Sequence, residues 1–277
     1  MRLSVSIVSH GHGPVVLALV DQLAALPAPR PVRVLVTLNV AEPWLARQLS
    51  GQDWPFELVL IANAAPQGFG VNHNRAFARE RQAGEPAAAF AVLNPDIVLR
   101  GNPFAGLLAA LRQGGVGCVY PVQLDAQGVR QDHERRLPTP KRLGARTWAR
   151  LAGGGRREVV PGVAPDWVNA AFLVLRCDAY DELSGFDENY RMYCEDVDLC
   201  LRLQLAGWRL VGVPNAVVEH MARRASHRNP RHLAWHARSL IRLWTSPTYA
   251  QFRASARAAR SGGRVLDAGA QARAAAR

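Results

Sequence analysis

Residues 3–26 read LSVSIVSHGHGPVVLALVDQLAAL. The first seven are short, apolar and partly β-branched, as in a strand. The last thirteen have the length and spacing of a helix, with Pro14 at its start, where a missing backbone N–H is harmless. The alternation continues. VRVLVTL (32–38), FELVLIA (56–62) and AAFAVLN (88–94) are strand-like, and VNHNRAFARERQAG (71–84) reads as a helix stopping at Gly84. Strand–helix alternation of this kind predicts an α/β fold, a mostly parallel sheet with helices on both faces. Ligands of such sheets bind beyond the carboxyl ends of the strands. The residues to inspect are therefore Ser9 and His10, Leu38 and Asn39, Asn63, and Asn94 to Asp96.

The chain has 277 residues, 49% of them hydrophobic, enough for the core of one large domain or two small ones. It contains no apolar run of eighteen residues, so no transmembrane helix is expected, and the N-terminus reads as a first strand rather than a signal peptide. Four cysteines without CxxC spacing are expected to be free thiols in a reducing, cytoplasmic compartment, Cys194 among them as a packed thiol rather than a nucleophile. Charge is unevenly placed. Residues 1–220 hold 22 Lys and Arg against 21 Asp and Glu, whereas residues 221–277 hold 12 Arg against Asp267 alone. A basic end suggests a polyanionic partner such as a membrane surface, or a solvated and partly disordered tail, here placed at 246–277. No aromatic–basic platform or nucleic-acid motif accompanies it, so no nucleic-acid partner is expected.

Residues 125–165 are polar, basic and rich in Gly and Pro, and read as a long mobile excursion. Order resumes at DWVNAAFLVLRCDAY (166–180), a buried strand. LCLRLQLAGW (199–208) is helical and ends near Gly207; RLVGVP and AVVEH are strands. RHLAWHARSLIRLW (231–244) is a helix with Leu233, Ala237, Leu240, Ile241 and Trp244 on one face, which either packs on the domain or lies against a membrane.

Four segments carry candidate chemistry. VLNPDIVL ends a strand with Asn94-Pro95-Asp96; Asp96 can ligate a divalent cation that neutralises a diphosphate, or the triplet can be a turn. CEDVDLCLR opens a helix with Glu195, Asp196 and Asp198 crowded at its N-terminus. A carboxylate there stays ionised and can accept a hydroxyl proton, while Asp198 can simply pair with Arg202. His220 follows a strand and is either a structural imidazole or a ligand beside Asp96. In the fourth segment, Gly68 and Gly70 precede a helix containing Asn72 and Asn74 and could let a ligand approach the backbone.

Together and in order, VSIVSHG, GFGVNHNRAF, LNPDIVL and the long stretch WVNAAFLVLR…GFDENYRMYCEDVDLCLRLQLAGWRLVGVP…VEH resemble an inverting family 2 glycosyltransferase of the GT-A fold, most of all the bacterial rhamnosyltransferases. The resemblance covers about residues 3–245 and implies a single domain, with a nucleotide-sugar half (1–120) and an acceptor half (166–245). It implies Mg2+ or Mn2+ at Asp96 and His220, with Asn94 nearby, and Asp196 as the general base. Glu195, Asp198, Trp167 and Asn169 would lie on the acceptor side. Ser9, His10, Asn39, Asn63, Gly68, Gly70 and Asn74 would lie on the nucleotide side. The implied donor is a nucleotide sugar, dTDP-rhamnose, and the acceptor a glycan or lipid-linked sugar in cell-surface polysaccharide synthesis, with the enzyme peripheral at the inner membrane. One residue departs from the family: Leu38 stands where an Asp usually holds the nucleoside. Either Asn39 takes that role or base recognition is weakened, and the alternative is a non-catalytic nucleotide-sugar-binding or scaffolding protein.

Overall fold

The computed structural model describes residues 1–151, 164–221 and 230–261. In chain order they form β1 (Leu3–Ser9), α1 (Gly13–Ala24), β2 (Arg33–Leu38), α2 (Pro43–Ser50), β3 (Glu57–Ala62), α3 (Phe69–Arg81), β4 (Ala89–Leu93), β5 (Ile97–Leu99), α4 (Phe104–Leu111) and β6 (Val116–Leu124). There follow β7 (Glu134–Arg135), α5 (Pro140–Leu151), β8 (Trp167–Val168), β9 (Phe172–Arg176), α6 (Cys177–Glu182), α7 (Glu195–Leu205), β10 (Arg209–His220), α8 (Pro230–Thr245) and α9 (Pro247–Ser261).

Eight strands make one sheet in the order β3-β2-β1-β4-β9-β6-β10-β5, and β7 pairs with β8 beside it. Strands β1, β2, β3, β4, β6 and β10 run one way; β9 and β5 run the other. The expected alternation is therefore present, with β9 inserted antiparallel between β4 and β6. Every residue of β4 is buried because helices cover both faces. Its side chains alternate: Ala89, Ala91 and Leu93 join the core under α1, α2 and α4, whereas Phe90 and Val92 join the core under α3, α6 and α7.

The fold places the site by its strand directions. The carboxyl ends of β1, β2, β3, β4, β6 and β10 share one edge. Because β9 is reversed, its first residue Phe172 pairs with Leu93, the last residue of β4. The turn before β9, residues 169–171, thus arrives at the same edge, and the Asn94 amide donates to the Ala171 carbonyl at 2.8 Å.

Three expectations are corrected. The excursion carries structure: β7 and α5 lie within it, α5 starting at Pro140. RLVGVP and AVVEH form one strand, β10, whose pairing with β6 shifts register between Val213 and Val217. The supposed tail begins with α9, which buries Tyr249 and Phe252 in the core beside α7. Residues 152–163 of the excursion and the basic end beyond 261 lie outside the described residues. All four cysteines are buried and unpaired with one another.

Candidate active site

The acceptor-side acids begin at a strained turn. Tyr193 and Cys194 both have left-handed backbones, at φ 72° and 65°, which costs non-glycine residues about 1–3 kcal/mol each. The turn is clasped by α8: Ser239 Oγ donates to the Met192 carbonyl at 2.9 Å, and Tyr193 Oη lies 2.9 Å from His232 Nδ1. It aims the start of α7 into a cavity of about 200 Å3. Glu195, Asp196, Trp167 and Asn169 line it, with Arg135 and Arg142 from the excursion and His236 and Leu240 from α8.

Burial raises the Asp196 carboxyl to about 6, opposed by the Val197 and Ala170 amides and the Arg135 charge. Glu195 is 7% exposed. Burial first, and then the charge of Asp196, holds it well above the ordinary carboxylate range. Both carboxyls are thus pushed up by burial, Glu195 further by the charge of Asp196 beside it. The Cys194 thiol is raised by burial and is not a nucleophile. Trp167 is fixed by Nε1 donating to the Arg136 carbonyl at 2.9 Å, and its ring lies 5.2 Å from the Arg135 guanidinium.

Asp96 and His220 meet across the antiparallel pairing of β5 with β10, with Asp96 Oδ1 3.5 Å from His220 Nε2. Gln131 fixes the imidazole. Its Nε2 donates to the His220 carbonyl at 2.6 Å, so its Oε1, 3.0 Å from His220 Nδ1, accepts a proton from that ring nitrogen. The Asp96–His220 pair adjoins the acceptor cavity. The Gln131 amide donates to the Gln123 carbonyl, and Gln123 Nε2 donates to Asn169 Oδ1 at 2.9 Å. Asp196 leans on the Ala170 amide, and Ala171 holds Asn94, two residues before Asp96. Among the described residues no group of three His, Cys, Asp or Glu side chains is placed to hold a metal ion. Asp96 and His220 offer two ligands.

At the ends of β1, β2 and β3 lies a polar network. Asn39 Oδ1 accepts from the Gln67 amide at 2.8 Å and from Asn63 Nδ2 at 2.9 Å; its Nδ2 faces His10 Nδ1 and the Gln67 carbonyl. Ser9 Oγ accepts from the His12 amide at 3.3 Å. Asn39 shapes the loop, and His10, His12 and Arg75 are exposed side chains of this corner, Arg75 donating to Asn63 Oδ1 at 3.0 Å.

Three assignments are corrected. Asn74 does not face this corner: its amide donates to the Phe186 carbonyl and Glu188, and its oxygen accepts from Tyr180 Oη and the Phe186 amide. Gly68 and Gly70 admit the chain itself rather than a ligand. A Cβ at Gly68 would lie 2.7 Å from the Arg191 carbonyl oxygen, and one at Gly70 2.7 Å from the Phe186 Cβ. Asp198 turns away from the cavity to pair with Arg202 at 2.6 Å.

A curated relative decides the family. The N-acetylglucosaminyl-diphospho-decaprenol L-rhamnosyltransferase of Mycobacterium tuberculosis is 32% identical over 254 residues, covering 86% of this chain and 82% of the relative. The chain belongs to the rhamnosyltransferase family of glycosyltransferases. Rhamnosyltransferase WbbL of Escherichia coli is 27% identical over 251 residues, 85% of this chain and 90% of WbbL. No protein-family model matches. Among solved structures, the mannosyltransferase PcManGT of Pyrobaculum calidifontis, in complex with GDP-Man and Mn2+, superimposes with a TM-score of 0.59. It is 16% identical and the match covers 99% of this chain and 79% of that one, which shows the GT-A fold. Within this rhamnosyltransferase-family enzyme, Gln131, Arg135, Arg142, Tyr193 and His236 are site residues that the sequence reading missed. Pro140 before an amphipathic run was the available signal for α5; for Gln131 and Tyr193 there was none short of the fold.

Proposed function

We propose that the enzyme transfers L-rhamnose from dTDP-rhamnose, with inversion, to a sugar carried on a lipid diphosphate, in the synthesis of a cell-surface polysaccharide. The observation that carries this reading is Asp196, an ionised carboxylate of raised basicity in a cavity adjoining the Asp96–His220 pair.

Asp196 accepts the proton of the acceptor hydroxyl, and a carboxyl of pKa about 6 is a better base than an ordinary one while still ionised at pH 7. Glu195, beside it in the cavity, can hydrogen-bond the acceptor. Trp167, buried beneath the Arg135 guanidinium, shapes the cavity wall, and Arg135, Arg136 and Arg142 give the cavity the positive charge that a phosphorylated acceptor requires. His10, beside the Asn39 network, would meet the nucleotide. The residues fit a divalent cation. Two ligands on adjacent octahedral positions at about 2.1 Å stand about 3 Å apart, close to the 3.5 Å between Asp96 Oδ1 and His220 Nε2. Mg2+ or Mn2+ held there would neutralise the leaving diphosphate. Mn2+ in PcManGT and the lipid-diphosphate acceptor named for the M. tuberculosis relative support the same reading.

The test is transfer from dTDP-rhamnose to an N-acetylglucosaminyl-diphospho-lipid, alongside thermal-shift screening of nucleotide diphosphates with and without Mn2+. Metal-dependent stabilisation selective for dTDP, and product formation, are expected. Stabilisation by another nucleotide changes the donor. Its absence with every nucleotide leaves the scaffolding alternative.

A further inference from the structure

The face predicted for α8 is packed on one side only: Leu240 and Trp244 are half-buried against the core. Leu233 is 70% exposed and Ile241 60% exposed, and both lie on the arc that also contains Ala237 and Leu240. The buried side of α8 is narrow, formed by Ser239 and Leu243. On the helical wheel the outward apolar arc is followed directly by Arg231, Arg238 and Arg242. Across the acceptor cavity stands α5, with Trp148 74% exposed. Its Arg142 and Leu143 line that cavity, as do His236 and Leu240 of α8, and Trp244 Nε1 of α8 donates to the Pro138 carbonyl at 2.7 Å. Helices α5, α8 and α9 contain ten Lys and Arg residues and no Asp or Glu. Beside α8 is a second cleft of about 370 Å3 lined by Asn189, Arg191, Trp235, Arg238, Ser239 and Arg242, with the Arg191 guanidinium 5.2 Å from the Trp235 ring.

We infer that α8 and α5 form a docking surface for an anionic phospholipid bilayer, with Leu233, Ile241 and Trp148 entering the interface and the Arg191–Arg238–Arg242 cleft receiving a headgroup phosphate. An outward apolar arc bordered by cations is what an interfacial helix requires, since the lipid boundary takes the apolar side chains and anionic headgroups take the charge. The physics disfavours the other occupants. A second copy would set these acid-free, Arg-rich helices against themselves, with Asp187 already paired to Arg242 at 3.0 Å, and a nucleic acid would leave Leu233, Ile241 and Trp148 in water. This surface surrounds the mouth of the acceptor cavity, so docking would bring Asp196 to substrates held in the membrane. It rests on the lipid-linked acceptor proposed above for its purpose only, because binding to vesicles is measured without turnover.

The experiment is co-sedimentation of the full chain with vesicles of phosphatidylcholine alone or mixed with phosphatidylglycerol. Three variants are compared: Leu233→Ser with Ile241→Ser; Arg238→Glu; and Arg264→Ser with Arg273→Ser and Arg277→Ser in the basic end. Wild type should bind only the anionic vesicles and dissociate in high salt. The first two variants should each bind about tenfold less, with the nucleotide-induced thermal shift unchanged, and the third should bind nearly as wild type. Binding lost only in the third variant, no binding by wild type, or a wild-type dimer that the apolar variant turns into monomer would each overturn the inference. Vesicle binding without any transfer activity would sink the proposed reaction and leave the docking surface standing.

Discussion

His220 presents Nε2 to Asp96 Oδ1 at 3.5 Å while Gln131 holds its other ring nitrogen. The imidazole is therefore oriented before any ligand arrives, in the way that outer partners orient metal-binding histidines. Gln131→Leu should keep the fold and weaken the Mn2+-dependent stabilisation by a nucleotide diphosphate about 10–100-fold. Asp96→Asn and His220→Ala should abolish it. Titration of the thermal shift against Mn2+ reads all three, and an unchanged midpoint in His220→Ala would remove this pair from the metal site.

Asp196→Asn should lower kcat by about 10²–10⁴, the usual share of a general base, and should also stabilise the protein. Burial raises the Asp196 carboxyl from 3.8 to about 6, so the folded state binds the proton more tightly than the unfolded chain. Stability is then greatest below the unfolded value, falls as pH rises through that window, and stays reduced above it. At pH 7.5 the neutral amide escapes a penalty of about 1–3 kcal/mol, seen as a higher Tm. A variant both inactive and less stable would contradict this account.

The same group sets the pH profile. Transfer needs Asp196 ionised, so kcat/KM should fall about tenfold per unit below about pH 6. A profile flat down to pH 5 would show that the base lies elsewhere.

Asn74 joins α3 to the Phe186–Glu188 loop through three hydrogen bonds, two of them to Phe186 backbone groups, and to α6 through a fourth from Tyr180 Oη. Asn74→Ala leaves those partners unsatisfied and should cost about 2–4 kcal/mol in denaturant unfolding. The KM for donor should not change, as it would if Asn74 touched the nucleotide.

Glu80 is fully buried, paired with Arg33 at 2.7 Å and accepting the Ala87 amide at 2.6 Å. Arg33 would keep Glu57 at 2.6 Å, but the buried Ala87 amide would lose its acceptor, so Glu80→Ala should cost about 1–3 kcal/mol. Chemical denaturation checks it, and activity at low temperature should persist.

The sequence exposed what depends on local pattern. Apolar runs and Pro14 marked β1 to β4 and α1, and strand ends marked Ser9, Asn39, Asp96 and His220, because in a parallel sheet one edge follows from direction alone. It did not expose what depends on chain-to-chain approach. Gly68, Gly70 and Asn74 look like ligand residues in a Gly-rich entry to a helix, yet they accommodate the loop at 186–191, more than a hundred residues away. Arg135 and Gln131 sit in polar, turn-rich sequence that reads as a linker, and gain their roles only because β7 pairs with β8. The exposed apolar arc of α8 has the same periodicity as a packed one, and only the fold tells which way it faces.

The reversed strand β9 bears on the chain's divisibility. A fragment ending at 124 would hold β4 and β6 with a one-strand gap between them, and a fragment starting at 164 would hold the strand that fills it. Neither piece can complete a sheet alone, since open ladder edges and uncovered apolar faces remain in both. The two stretches thus belong to one sheet, and two such fragments should gain order only when mixed.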